Sequence, residues 1–258
     1  MPPRRLRPSG LLLVDKPAGP SSFAIVRAIR ARTGARTGHA GTLDPFASGL
    51  LLVLSGAATR LAPWLVGLDK RYVTEIDLGS RTSTGDPEGE VVTEQERPTR
   101  AELEAGLEGL RGEVELPIPT ASAVKVGGER AYRLARRGVQ VEMPSRRMQV
   151  HALDVISYTG QVATLDLHVG SGTYVRAIAA ALGGHCRTLR RTEVGPFRVE
   201  DADPDRMLPP AQALSFLPAV AVTEEHAREL RTGRQRGVDG VRYLLDGELV
   251  AVGRTVLP

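Results

Sequence analysis

Gly38-His39-Ala40-Gly41-Thr42-Leu43-Asp44-Pro45 is the stretch around which the rest of the chain is best read. Two glycines and a proline write a tight, non-helical bend, because glycine reaches backbone conformations closed to other residues and proline interrupts regular elements. A single carboxylate, Asp44, sits at its end, with no carboxylate or metal-ligand partner nearby in sequence. Chemistry carried on such a bend needs one acid group, not two. Local spacing alone favours a blander role, since most Asp-Pro carboxylates cap the next element or close an Asx turn. What accompanies the bend decides between the two.

Upstream, residues 11–14 read as a short buried strand ended by Lys16-Pro17. Ser21 or Ser22 can cap a helix in which Phe23, Val26 and Ile29 share a face, with Gly34 as the stop. Downstream come a buried strand at 50–54 and a helix over about 58–66, closed by Gly67. Residues 71–78 alternate, Tyr72, Thr74, Ile76 and Leu78 against Val73, Glu75 and Asp77, which predicts a half-exposed strand. A polar loop follows at 79–89, then a helix at 101–110 opened by the Thr99/Glu102 capping box. Pro117 and Pro119 bracket an irregular passage, and 129–137 forms a short arginine-rich helix stopped by Gly138.

Strands at 146–156 and 162–169 join across Thr159-Gly160, and an alanine-rich helix covers 173–182. Residues 201–210, rich in Pro and Asp, read as a linker. Beyond it lie a helix capped by Thr223 and a hairpin turned at Asp246-Gly247. Strands and helices interleave without strict βαβ alternation. The expected fold is α/β of the α+β kind, a mixed, mainly antiparallel sheet flanked by helices.

Composition narrows the function. The 258 residues suffice for one large domain, or one with an appendix. The single Cys186 excludes an intrachain disulfide and suits a reducing, cytoplasmic compartment. No apolar run approaches a membrane span. Net charge is +4, yet residues 75–115 hold 12 acidic and 4 basic side chains, a net of −8, which leaves +12 for the remainder. An acidic face and a basic face that meets phosphates would give this asymmetry. Arginine dominates the basic residues and asparagine is absent, a skew typical of GC-rich coding, so basicity alone says little about nucleic acid. The three lysines, Lys16, Lys70 and Lys125, are more telling, because each lies within a segment singled out below.

Common chemistries drop out. No lysine follows a glycine, so there is no phosphate loop of the Walker type. Gly170-Ser171-Gly172 lacks the third glycine of a dinucleotide fingerprint, and no Gly-x-Ser-x-Gly elbow occurs. The five histidines show no metal-ligand spacing. Cys186 beside His185 is no dyad, since sequence neighbours point apart, and a lone Cys is ordinarily a small buried side chain. The expectation is catalysis without cofactor or metal.

Several segments occur in a fixed order with the bend. They are Asp15-Lys16-Pro17 with Ser21-Ser22, Lys70-Arg71-Tyr72, Thr84-Gly85-Asp86, Ser122-Ala123-Val124-Lys125, Ala131-Tyr132, Gly172-Thr173-Tyr174-Val175-Arg176 and Leu189-Arg190-Arg191. Together, over roughly residues 10 to 198, they resemble the TruB-type tRNA pseudouridine synthases. The resemblance implies that one T-loop uridine of tRNA (position 55) is isomerised to pseudouridine. It implies Asp44 as the essential carboxylate, attacking C1′ or C6, or taking the C2′ proton. Arg176 would keep that carboxylate ionised in a dry pocket; the alternative is a solvated, idle arginine. Tyr72 would stack on the extruded base, although a strand tyrosine is more often core. His39 would push into the stack the uridine leaves, unless it is satisfied within its own turn.

Lys16 and Pro17 match a pair near the active site, with a solvated loop end as the other reading of Lys16. Gly41, Thr42, Lys70, Lys125 and Tyr174 fall within the matching motifs and join the substrate-binding set. Arg130 and Arg136, with Arg133, Arg137, Arg146 and Arg147, fit an RNA-gripping insertion near 120–147, where a solvated helix face is equally compatible with composition. The implied domains are a catalytic body, 1–208, and a reduced PUA-like tail, 209–258, too short for the full RNA-binding barrel. Between Gly172 and Leu189 the chain is shorter than the family's pattern, and Ala180 and Ala181 replace an expected acidic residue. The partner implied is tRNA, with no membrane and no obligatory protein. Two rivals stay open: a guide-RNA-dependent enzyme like dyskerin, and a non-catalytic tRNA-binding or folding protein on the same fold.

Overall fold

The structure, a computed structural model, describes residues 9–122, 124–137, 139 and 142–257. It divides into two compact units. One comprises the described chain up to Pro45, Gly49–Gly67 and the chain from Pro196 onward; the other comprises Phe46–Ser48 and Leu68–Gly195.

The first unit begins with β1 (Gly10–Lys16), longer than the apolar run because its whole length pairs antiparallel with β3 (Ser48–Ser55), from Gly10↔Ser55 to Lys16↔Gly49. Leu11–Leu13 and Leu50–Leu54 are buried almost without alternation, as in strands covered on both faces. Between them lie α1 (Ser22–Thr33) and β2 (Thr37–His39), the latter paired with β3. Ser21 is the N-cap, its hydroxyl accepting from the Ala24 N–H, and Gly34 closes the helix at φ 61°. The expected core face needs correcting. Val26 and Ile29 are buried, but Phe23 is 69% exposed and Ser22 takes the inward position. The reason is a polar clamp described below, which holds Ser22 inward while Val26 and Ile29 keep their places. The segment 58–66 is not one helix either. A 3₁₀ stretch, Gly56–Leu61, leads into α2 (Ala62–Val66).

The second unit opens with β4 (Lys70–Asp77), which alternates as its sequence predicts, and Lys70 joins the buried face. The polar loop expected next instead forms a hairpin of β5 (Ser80–Thr82) and β6 (Val91–Glu94). The capping box on α3 (Arg100–Glu108) is present in both directions, with the Thr99 hydroxyl accepting from the Glu102 N–H. β7 (Gly112–Pro117) went unforeseen because Pro117 at its end, and Pro119 just beyond, disguise a half-exposed strand. It carries a single pairing, to β10, where proline is tolerated at the end.

A small excursion follows, made of β8 (Lys125–Val126), β9 (Glu129–Arg130) and α4 (Ala131–Arg136); the Gly138 stop lies outside the described residues. β10 (Ser145–Tyr158), β11 (Val162–Val169), α5 (Val175–Ala181) and β12 (His185–Val194) complete the unit. Its strands run β12-β4-β11-β10-β7, all antiparallel. β12 is a strand that the sequence conceals. Register shifts at Cys186/Thr188 and Arg191/Glu193 break its alternation, so Cys186, Leu189, Arg191 and Val194 face inward at uneven spacing. Cys186 is fully buried.

The chain then returns to the first unit through β13 (Phe197–Arg198) and β14 (Asp203–Leu208). The expected linker is thus partly a strand, paired antiparallel with β1 at Leu11↔Leu208 and Leu12↔Met207. Pro and Asp suit it because the strand stands on an edge, where a missing N–H and solvated charges cost little. α6 (Pro210–Ala213), β15 (Ala219–Ala221), α7 (Glu224–Thr232), β16 (Arg242–Leu245), β17 (Glu248–Val252) and β18 (Thr255–Val256) end the chain. The four strands form one small sheet in which only β15–β16 is parallel. Asp246 (φ 50°) and Gly247 (φ 84°) make the hairpin turn that their sequence predicts. Ala227, Leu230, Tyr243, Val250 and Ala251 form the local core. The fold is therefore α+β with mixed, mainly antiparallel strands. No helix among the described residues is long and apolar enough to cross a membrane.

Candidate functional site

In the first unit the bend is built from its anchors. β2 runs beside β3 through His39↔Val53, and the Ala40 N–H donates to the Leu52 carbonyl at 2.9 Å. Gly41 then turns the chain away at φ 100°, a conformation that disfavours any side chain. Leu43 is buried, and the Ser22 hydroxyl clamps it from α1, accepting from the Leu43 N–H and donating to the Leu43 carbonyl, both at 2.8 Å. On the other side of Asp44, the Pro45 carbonyl accepts from the Gly19 N–H at 2.8 Å and from Lys16 Nζ at 3.3 Å. Asp44 is thus a half-buried carboxylate between two residues that are both pinned.

Lys16 is no solvated loop end. It is 0% exposed, and its ammonium also donates to the Pro17 and Pro20 carbonyls at 2.9 and 2.8 Å. A buried charge survives only with such partners. Lys16 therefore ties the Pro17–Pro20 loop to the Asp44 bend, an arrangement that explains the Lys-Pro spelling of the segment. His39, Gly41 and Thr42 lie on the same bend, Thr42 exposed and the other two half-buried.

The second unit carries Tyr72 and Arg176. Tyr72 is buried on β4, opposite Leu167 of β11 and Arg191 of β12. Lys70, two residues earlier on the same face, donates to the Leu68 carbonyl and to Ser171 Oγ. Burial pushes its pKa down to about 8; the Arg191 charge pushes the same way and Asp69 opposes.

Arg176, in the first turn of α5, is 3% exposed, which removes the solvated, idle reading. Its Nη1 donates to the Thr84 carbonyl at 2.7 Å and lies 3.3 Å from Asp86 Oδ2, while Nη2 donates to the Ala121 carbonyl at 2.9 Å. Asp86 is equally enclosed, its Oδ1 accepting from Thr84 Oγ1 at 2.6 Å and the Glu88 N–H at 3.1 Å. The planar guanidinium fork thus fixes two loops at once. Sequence reasoning gave no role to Asp86 or to buried Arg191, although both stood within the recognised segments. The usable signal was an acidic residue in a Thr-Gly-Asp turn and an arginine inside a strand. Tyr174 is the N-cap residue of α5 and half-buried.

The excursion holds the remaining candidates. Lys125 and Arg130 are exposed on β8 and β9, paired as Lys125↔Arg130. The Arg136 side chain lies outside the described residues. Arg137 spends its charge on Glu129 at 2.8 Å, and Arg146 lies over Gly172, where an added Cβ would stand 3.0 Å from its guanidinium. Asp44, His39, Lys16 and Pro17 therefore belong to one unit, and Tyr72, Lys70, Arg176 and the excursion to the other.

Comparisons with known proteins give one family. The tRNA pseudouridine synthase B of Cereibacter sphaeroides is 42% identical, over 87% of this chain and 82% of its own. Those of Caulobacter vibrioides and Leifsonia xyli are 43% and 40% identical, covering 88% and 90% of this chain and 80% and 85% of theirs. Among solved structures, one chain of a Cbf5-Nop10-Gar1 complex shares the fold, with a TM-score of 0.70 at 23% identity over 95% of this chain and 79% of that one. Residues 27–175 match the TruB family pseudouridylate synthase (N terminal domain). With more than half its length inside that match, and relatives at about 40% identity over most of both chains, the chain belongs to the TruB family of pseudouridine synthases.

Proposed function

We propose that this protein converts a single T-loop uridine of tRNA, position 55, to pseudouridine. The observation that carries the proposal is Asp44 on a bend whose residues on either side are pinned, within a TruB-family chain. The isomerisation breaks N1–C1′, turns the uracil and forms C5–C1′. C5 loses a proton and N1 gains one, so atoms balance with no cofactor or metal. Asp44 acts on C1′, C6 or the C2′ proton while ionised, and a rigid mount suits that task because misplacement forfeits rate. Arg176, held in place by Asp86, supplies the positive charge that keeps Asp44 ionised.

Tyr72 stacks on the extruded base, repaying part of the few kcal/mol that leaving the helix stack costs. His39 takes the place the base vacates, and Gly41, Thr42, Lys70 and Tyr174 line the nucleotide. Lys16 and Pro17 support the bend from behind. Lys125, Arg130 and Arg136 hold the T-stem through phosphates, which position the substrate without reading its sequence. The C-terminal sheet acts as a reduced PUA-like RNA-binding domain. The protein works in the cytoplasm on tRNA, without an obligatory protein partner or guide RNA. Incubating pure protein with an unmodified tRNA transcript, no metal or guide added, should give pseudouridine at the T-loop site alone. Retained tRNA binding without any pseudouridine would favour the non-catalytic reading, and dependence on an added guide RNA the dyskerin-like one.

A further inference from the structure

The outer face of α1 has no role in the reaction described above, and its composition is unusual. Phe23 is 69% exposed, the one exposed aromatic among the described side chains of a chain only 4% aromatic. Arg27 and Arg30 follow at helical spacing i+4 and i+7 and are exposed on the same stripe. The twelve-residue helix contains no acidic residue. Arg32, two residues past the stripe's end, is committed to Asp205 at 2.9 Å, whereas Arg27 and Arg30 enter no ion pair among the described residues.

Burial cannot explain Phe23, because the inward position is already filled by Ser22. That same Ser22 clamps Leu43, so Phe23 stands one residue from a side chain bonded to the neighbour of Asp44. An apolar ring left in water beside the bend, followed by two uncommitted guanidinium groups over about 10 Å of helix, is complementary to one kind of partner. That partner is a polyanion with exposed π-faces.

We propose that the Phe23–Arg27–Arg30 stripe is an RNA-docking surface that grips the substrate strand next to the target nucleotide. Phe23 packs on an unstacked base or ribose, and Arg27 and Arg30 bind the following phosphates. The inference rests on the tRNA reading and extends it, by adding a contact surface beside the bend and apart from the 120–147 excursion.

All three side chains are exposed, so F23A and R27Q/R30Q leave the core intact. Affinity for unmodified tRNA transcript is measured over a salt series, together with the single-turnover rate at saturating tRNA. F23A should weaken binding by roughly 5-fold or more, the scale of a lost stacking contact, with its salt slope unchanged and F23W restoring affinity. R27Q/R30Q should lower the salt slope by roughly 1 to 2, as expected for two lost phosphate contacts. Both should keep the saturated rate. Unchanged affinity and slope in both variants overturn the inference, as does wild-type self-association that F23A abolishes while tRNA affinity stays intact. Pseudouridine formation by the wild type is scored in the same assay. Its absence sinks the tRNA-enzyme reading, whereas its presence with indifferent α1 variants sinks only this inference.

Discussion

Lys70 shows what a buried cation costs. Its folded-state pKa, about 8, lies below its ordinary 10.5, so between those values the unfolded chain holds a proton that the folded one has released. Stability therefore rises with pH across that window, and below it the charged ammonium is a standing penalty. The unfolding free energy of wild type minus that of K70M should increase from pH 8 to about 10, measured by urea denaturation; a flat difference contradicts the assignment. Asp86 poses the opposite case. Removing it leaves the Arg176 guanidinium enclosed without its counter-charge, so D86A should cost about 3–5 kcal/mol. D86N, which keeps acceptors for Thr84 and Glu88, should cost less. Equal stabilities for D86A and wild type in urea would show that the pair carries no weight. Lys70 stood out in sequence as a motif lysine, but neither its burial nor the pairing of Asp86 was legible there, because lysine and aspartate are solvated by default. Only the enclosing loops, distant in sequence, make them matter.

At the scale of elements, the bend depends on Gly41 as much as on Asp44. At φ 100° an alanine is strained by about 1–3 kcal/mol, and the least costly relief is rotation of the bend itself. G41A is therefore expected to lose single-turnover rate steeply while tRNA affinity stays within about 3-fold, since phosphate contacts carry most affinity. Parallel losses in both would mean that the bend serves binding rather than chemistry. The legibility of elements follows the same physics. β4 could be read because one face is buried and its period is two; β12 could not, because two register shifts and three arginines hide its inward residues. In α1 a serine outcompeted a phenylalanine for the interior, since its hydroxyl satisfies two backbone groups of Leu43 that would otherwise be buried unpaired. β14 was obscured by Pro204 and its aspartates, which an edge strand tolerates.

In the whole molecule the chain leaves its first unit after Gly67 and returns at Pro196, so the second unit is inserted into the first. The bend with Asp44 lies in the host unit, and the strand tyrosine with the buried arginine in the inserted one. Asp44 stands out in the sequence because the segments Lys16-Pro17, Lys70-Arg71-Tyr72 and Gly172 to Arg176 accompany it in order. No local feature of an Asp-Pro turn would have sufficed. The proposed function turns on this one carboxylate performing the isomerisation. Release of tritium from tRNA carrying 5-tritiated uridine is the sharpest assay of that role, with D44N compared to wild type at saturating enzyme. The expected outcome is complete release by wild type and none above background by D44N, with tRNA affinity retained. Release by D44N at a rate near that of wild type would refute the role given to Asp44.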